Sequence, residues 1–257
     1  MTSVQVRQFT CLQDNFGVLV HHPESGTTVA IDVPDAKAYI AALHATGWSL
    51  SHILITHHHW DHIGGLNELV EATGAHVTGP ERSRQKIAGM NNAVEDGDDI
   101  LVGPLKIKAM ATPGHTLDHI SWWFTEEGIA HTGDTLFALG CGRLFEGDAE
   151  MMWSSLSHLV RQLPPETKIY CGHEYTQANA KFALSIDPTN EKLKMRASQI
   201  NELRAKGEAT LPTTIAEELE TNPFLRAADP AIQQSLGLEG EELAIVFAEI
   251  RKRKDNF

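Results

Sequence analysis

The run Thr56-His57-His58-His59-Trp60-Asp61-His62 constrains this chain more than any other feature, because it follows an apolar segment, Ser51–Thr56, that reads as a short buried strand. Imidazole plus carboxylate is the ligand set that suits zinc, iron or manganese. His57, His59, Asp61 and His62 cannot all converge on one ion from so short a loop, whereas two adjacent ions could take two ligands each. Such a centre needs further ligands from elsewhere in the chain.

The same grammar supplies them. Lys106–Thr112 reads as a strand ahead of Pro113-Gly114-His115, Ile129–Thr132 precedes Gly133-Asp134, and Lys168–Cys171 precedes Gly172-His173. A glycine stands before each candidate, and a residue without Cβ lets the backbone turn sharply and approach an ion closely. The expected metal set is therefore His57, His59, Asp61, His62, His115, Asp134 and His173. The other histidines, His58 among them, are expected to face solvent or to support ligands.

Around these positions, Val4–Thr10, Phe16–His22 and Thr27–Val33 alternate with turn residues as in a meander, and Pro34–Thr46 has apolar residues at helical spacing up to Gly47. Leu66–Thr73 and Glu81–Ala88 read as helices flanking a β segment, His76–Gly79. The β-rich halves Val4–Thr56 and Ile100–Cys171 suit a two-sheet sandwich. Beyond Tyr175 the character becomes helical, through Gln177–Ser185, Glu191–Lys206 and Glu241–Lys254. The expected division is a catalytic domain over 1–175 and a helical domain over 176–257.

Twenty-one basic against 34 acidic residues give a net charge of −13, which disfavours nucleic acid and anionic membranes as partners. No apolar run reaches the ~18 residues of a membrane span, and Met1–Val20 lacks the basic and apolar regions of a secretion signal. A cytoplasmic monomer is the expectation. Cys11, Cys141 and Cys171 are odd in number and widely spaced, so reduced thiols are expected, with Cys171 a small buried hydrophobe. No Gly-rich phosphate loop follows a strand, leaving metal as the only cofactor.

The pattern Thr-His-x-His-x-Asp-His followed by Gly-His, Gly-Asp and Gly-His resembles the metallo-β-lactamase superfamily, and within it most closely the glyoxalase II (hydroxyacylglutathione hydrolase) family. The resemblance runs nearly end to end, through Thr56–Gly65, Thr112–His119, Gly133–Gly147, Cys171–Thr176, Asn222–Arg226 and the terminal Arg-Lys-x-x-x-Phe pattern. It implies an α/β fold, an αβ/βα sandwich with a C-terminal helical domain. It also implies two divalent ions, Zn2+ first with iron or manganese as alternatives. His57, His59 and His115 would hold one and Asp61, His62 and His173 the other, with Asp134 bridging. A water or hydroxide between the ions would be the nucleophile, oriented by Asp61.

The implied reaction is hydrolysis of an S-(2-hydroxyacyl)glutathione such as S-D-lactoylglutathione to glutathione and D-lactate, the second step of methylglyoxal detoxification. A thiolate with a pKa of about 8.5 leaves without strong acid assistance, so no Ser–His–Asp nucleophile is required. The resemblance places Arg143, Phe145, His173, Tyr175, Arg251 and Lys254 against glutathione. Arg251-Lys252-Arg253-Lys254 also reads, more blandly, as cations complementing a helix C-terminus. Asn179 is expected either to touch the ligand or to face solvent, Asp118 to be an exposed loop acid in preference to a partner that orients His115 or His119, and Asp32 to lie away from the ligands. A mononuclear-iron glutathione persulfide dioxygenase is the alternative, separable by counting metals.

Overall fold

The computed structural model describes residues 4–257. They form two compact units, one of the chain up to Ala111 with Asp118–Gly133, the other of Thr112–Leu117 with Asp134–Phe257.

In the first unit, β1 (Gln5–Cys11), β2 (Asn15–His22) and β3 (Thr27–Ile31) form the expected antiparallel meander. β4 (His52–Leu54), β5 (His76–Pro80) and β6 (Asn92–Val94) continue the sheet in parallel, in the order β1-β2-β3-β4-β5-β6. Parallel neighbours need crossovers, supplied by α1 (Ala36–Thr46) between β3 and β4 and by α2 (Trp60–Ile63) and α3 (Leu66–Thr73) between β4 and β5. The Asp35 side chain caps α1 by accepting from Lys37 N, and Gly47 ends it at φ 71°. Tyr39 and Leu43 of α1 and Leu66 and Leu69 of α3 pack on Leu19, Ala30, Ile53 and Val77 of the sheet.

The remaining strands of this unit, β7 (Asp99–Val102), β8 (Leu105–Ala111), β9 (Ile120–Phe124) and β10 (Ile129–His131), pair antiparallel in sequence. The buried Trp122 ties them to the first sheet by donating from Nε1 to Ile55 O at 3.2 Å. The helix expected over Glu81–Ala88 is instead a single 3-10 turn, Glu81–Ser83. Ser83 is wholly buried and its hydroxyl donates to Asp118, which anchors the segment before a second turn of α-helix can form.

The second unit opens with a tight hairpin of β11 (Leu136–Phe137) and β12 (Gly140–Cys141). The next element, α4 (Ala149–Gln162), is not among those expected from the sequence, although its buried Met152, Leu156 and Leu159 lie at helical spacing and Asp148 caps it. β13 (Lys168–Tyr170) follows, then α5 (Thr176–Ile186), α6 (Glu191–Ala205), β14 (Thr213–Thr214) paired antiparallel with β13, α7 (Ile215–Thr221), α8 (Pro230–Leu236) and α9 (Leu243–Asp255). α5 and α6 close over a core of Leu139, Ala180, Ala183, Leu193, Ala197 and Ile200. No helix of the described residues is long and apolar enough to cross a membrane.

β4, β8, β10 and β13 each end a few residues before a candidate ligand, as the sequence grammar requires.

Candidate metal centre and substrate face

In the first unit the histidine run is organised by a residue that sequence reasoning placed elsewhere. Asp32, at the end of β3, accepts from Thr56 N at 2.7 Å through Oδ1, and from Thr56 Oγ1 and His62 Nδ1 at 2.8 Å through Oδ2. A carboxylate only accepts, so His62 Nδ1 carries the proton and, in the neutral ring, Nε2 carries the lone pair. The Thr56 hydroxyl spends its proton on Asp32 and therefore accepts from His57 Nδ1, 2.9 Å away. His57 Nε2 is thus also a lone pair, and it lies 3.1 Å from His59 Nδ1.

One turn of helix, α2, presents Asp61 and His62 together, with Asp61 Oδ2 3.7 Å from His62 Nε2. Buried Asn15 holds Asp61 from the β1–β2 turn, its amide donating to Asp61 O at 3.1 Å and to Oδ2 at 3.2 Å. His58 departs from its neighbours, with Nδ1 2.9 Å from Asp118 Oδ2 and Nε2 3.2 Å from Lys86 Nζ. Asp118 is accordingly buried rather than the exposed acid expected, because Ser83 and His58 supply the hydrogen bonds that burial demands.

In the second unit, His115 Nδ1 lies 2.8 Å from Arg143 O. A carbonyl cannot donate, so Nε2 again carries the lone pair of the neutral ring, and it lies 3.4 Å from Asp134 Oδ2. His173 Nε2 stands at the same distance, 3.4 Å, from that oxygen. Two imidazoles therefore share one carboxylate oxygen, and a lone pair set against a carboxylate is repulsive unless a cation or proton lies between. Together with the tautomers fixed at His57 and His62, this donor chemistry fits divalent metal.

The glycines before His115 and Asp134 are needed where they stand. Gly114 has φ 145° and a Cβ there would lie 2.9 Å from Met152 Cα, while Gly133 has φ 46° and its Cβ would lie 2.9 Å from Thr56 Cβ. Gly142 is equally constrained, since a Cβ would come within 2.0 Å of Asp134 O.

Aromatic rings flank the second unit's candidate ligands, and cations gather elsewhere in the same unit. Tyr175 stacks on His173 at 4.6 Å with rings 3° from parallel, Phe137 meets Tyr175 edge-on at 5.4 Å, and exposed Phe145 meets His115 edge-on at 5.2 Å. Arg251 is buried and donates to Cys141 O at 3.0 Å and to Asp255 Oδ1 at 2.7 Å, with its guanidinium over Phe224. Lys254 lies over Phe182 and Phe257. Burial first, then the charges of Arg251 and Arg143, lower the Lys254 pKa, so these three cations share one neighbourhood. Cys141 and Cys171 are buried, and burial pushes the Cys141 thiol up to about 11 and Cys171 higher still, which suits the role expected of Cys171. Asn179 neither faces solvent nor reaches outward, since it is buried and donates to Ala138 O at 3.1 Å.

Asp32 and Asn15 are the functional neighbours that sequence reasoning missed. Asp32 carries the one signal that could have found it, an acid at a strand end like the ligands themselves.

Comparison with known proteins places this arrangement. Residues 23–173 match the model of the metallo-beta-lactamase superfamily, and residues 174–257 match that of the hydroxyacylglutathione hydrolase C-terminus. A relative in Maricaulis maris, named hydroxyacylglutathione hydrolase, is 54% identical over the whole of both chains. Among solved structures, ETHE1 from Myxococcus xanthus has a TM-score of 0.67 at 27% identity, over 97% of this chain and 98% of its own. TTHA1623, crystallised in a di-iron-bound form, has a TM-score of 0.60 at 25% identity, over 86% of this chain and all of its own. The superfamily match and the clusters of His and Asp suited to holding metal fit a dinuclear metal site. With the fold, the ligand grammar and full-length identity in agreement, the chain belongs to the metallo-beta-lactamase superfamily and, within it, to the hydroxyacylglutathione hydrolase family of metal-dependent hydrolases.

Proposed function

We propose that the chain hydrolyses S-(2-hydroxyacyl)glutathione, with S-D-lactoylglutathione as the physiological example, in the second step of methylglyoxal detoxification. The observation that carries this reading is full-length identity of 54% to a relative of that name. Water oxygen joins the acyl carbon, the C–S bond breaks, the sulfur leaves as the glutathione thiolate, and both water protons pass to solvent, leaving the 2-hydroxy acid as its carboxylate. His57, His59 and His115 would hold one ion, Asp61, His62 and His173 the other, and Asp134 both. The di-iron form of TTHA1623 supports a pair of metals, and Zn2+ is the proposed identity here. Bound divalent metal would lower the pKa of water to about 7 and polarise the thioester carbonyl.

The chain's own residues do the rest. Asp61, held by Asn15, orients the attacking water by accepting a hydrogen bond from it. Arg143, Arg251 and Lys254 offer positive charge to the glycine carboxylate of the tripeptide, while Phe145 and Tyr175 give it apolar faces. On this reading residues 1–175 carry the chemistry and 176–257 much of the glutathione site. The three buried free cysteines suit a reducing cytoplasm, and a monomer is the proposed working unit.

Metal analysis of the purified protein with a lactoylglutathione assay tests the proposal. Two metals per chain with thioester turnover is the expected result. One iron per chain with oxygen consumption on glutathione persulfide would overturn it in favour of the dioxygenase reading, which the 27% identity to ETHE1 supports less strongly.

A further inference from the structure

The motif Asn222-Pro223-Phe224-Leu225-Arg226 has no part in the chemistry above, yet its first residue, at the C-terminal end of α7, is wholly buried. The Asn222 amide donates to Phe137 O at 3.3 Å, to Gly140 O at 3.0 Å and to Glu218 Oε2 at 2.9 Å. Its own carbonyl oxygen, Oδ1, accepts from Phe224 N at 3.0 Å, which fixes the amide's orientation.

The same short turn is gripped from two other sides. Leu139 N donates to Glu218 Oε2 at 2.8 Å, and Asn179 donates to Ala138 O at 3.1 Å. Each residue of the turn between β11 and β12 is thus held through its backbone by a buried side chain of the helical segment. Leu139 sits at φ 58°, a conformation a leucine adopts only when its surroundings impose it. Gly140 admits no side chain, since a Cβ would lie 2.5 Å from Asn179 Nδ2. Glu218, also wholly buried, is held by Arg196 at 2.5 Å and by the Thr213 hydroxyl at 2.7 Å, so its charge is matched where water cannot reach.

This turn stands between the groups assigned to substrate. Phe137 touches the rings of Tyr175 and His173. The Cys141 carbonyl, two residues past the turn, accepts from Arg251 at 3.0 Å, and Arg143 follows two residues later. Phe224 lies beneath the Arg251 guanidinium, 5.2 Å from its centre. The geometry points to Asn222, with Glu218 and Asn179, as positioning residues that set the spacing of Arg143, Arg251 and Tyr175 and so determine affinity for the glutathione moiety.

This inference rests on the proposed substrate site, and its test separates the two. Asn222→Ala, Asn179→Ala and Arg143→Ala would be compared with the parent for KM and kcat on lactoylglutathione, for inhibition by S-methylglutathione, and for metal content and melting temperature. Asn222→Ala should raise KM and the inhibition constant together by about tenfold, with kcat within about twofold and metal content unchanged. Asn179→Ala, which removes a single bond from the turn, should do the same more weakly and serves if Asn222→Ala does not fold. A fall in melting temperature with KM and inhibition unchanged would make the network structural only and overturn the inference. If Arg143→Ala alone shifts affinity, the substrate site stands and the positioning role fails; if Arg143→Ala does not shift it, the substrate assignment itself fails.

Discussion

Replacing Asp32 by Asn tests how the metal ligands are prepared. The substitution is nearly isosteric, and asparagine tolerates the φ of 55° at this position, so the backbone should stay in place. What changes is the second oxygen, which accepts from both Thr56 Oγ1 and His62 Nδ1 at 2.8 Å. If the amide keeps its oxygen toward Thr56 N, its NH2 group faces the His62 Nδ1 proton, donor against donor. The ring relieves this by moving its proton to Nε2, which removes the lone pair meant for the ion. His57 is disturbed too, because its tautomer depends on the Thr56 hydroxyl being committed to Asp32. Loss of such a supporting carboxylate costs about 10–100-fold in metal affinity, or ~1.4–2.7 kcal/mol. Losing hydrogen bonds to a charged group should also cost the metal-free protein about 1.5–3 kcal/mol. Zinc affinity by chelator competition, with denaturant melts of the metal-free form, measures both. Affinity within about twofold of the parent in a folded protein would refute the claim that Asp32 fixes the ligand tautomers.

Asp134→Ala should lower both metal content and turnover, measured by elemental analysis and thioester assay, and unchanged values for both would remove Asp134 from the shared-ligand role. Asn15→Ala leaves Asp61 without its amide donor, so kcat should fall about tenfold while KM stays within about twofold; a change confined to KM would mean that Asn15 does not act through Asp61. Lys254 has a pKa lowered by burial and by neighbouring cations, so it loses its charge as pH rises before an ordinary lysine near 10.4 would. S-methylglutathione binding measured by calorimetry should therefore weaken with rising pH in that window, and Lys254→Arg, which stays protonated, should remove the part of the loss absent from a free ligand titration. An identical pH profile in the variant would exclude Lys254 as the titrating contact.

The proposed ligand positions have local signatures: His57, His115, Asp134 and His173 each follow a strand and a small residue, and His59, Asp61 and His62 crowd into the run that His57 opens. Asn15 and Asn222 have no such signature. Both act on backbone or side-chain atoms far away in sequence, and an asparagine beside a proline or in a turn has an adequate local explanation already. Asp118 and Asn179 show the opposite case: an acid read as exposed and an asparagine left open between ligand and solvent are both buried, because His58, Ser83 and the Ala138 carbonyl provide partners that sequence does not reveal. The helical spacing of Met152, Leu156 and Leu159 is present in the sequence of α4, whereas Glu81–Ala88 departs from helix because one side chain, Ser83, is claimed by tertiary structure.

The four cations near the C-terminus show why a bland reading and a functional one need not compete. Lys252 and Arg253 pair with Glu249 on the surface of α9, as cations at a helix end commonly do. Arg251 and Lys254 lie on another side of that helix, where Asp255 pairs directly with Arg251 at 2.7 Å and acts on Lys254 from farther off. With Arg143 close enough to act on Lys254, three cations meet one acid in a chain whose net charge is −13. Half-burying Lys254 among like charges lowers its pKa, a cost that an incoming carboxylate would offset by restoring the balance. Arg251 cannot be spared for that purpose alone, since its bond to Cys141 O also holds α9 against the hairpin, while Asp255, one turn on in the same helix, fixes the guanidinium. Its removal would confound folding with affinity, whereas Lys254 and Asn222 perturb the same neighbourhood from its two ends and can distinguish them.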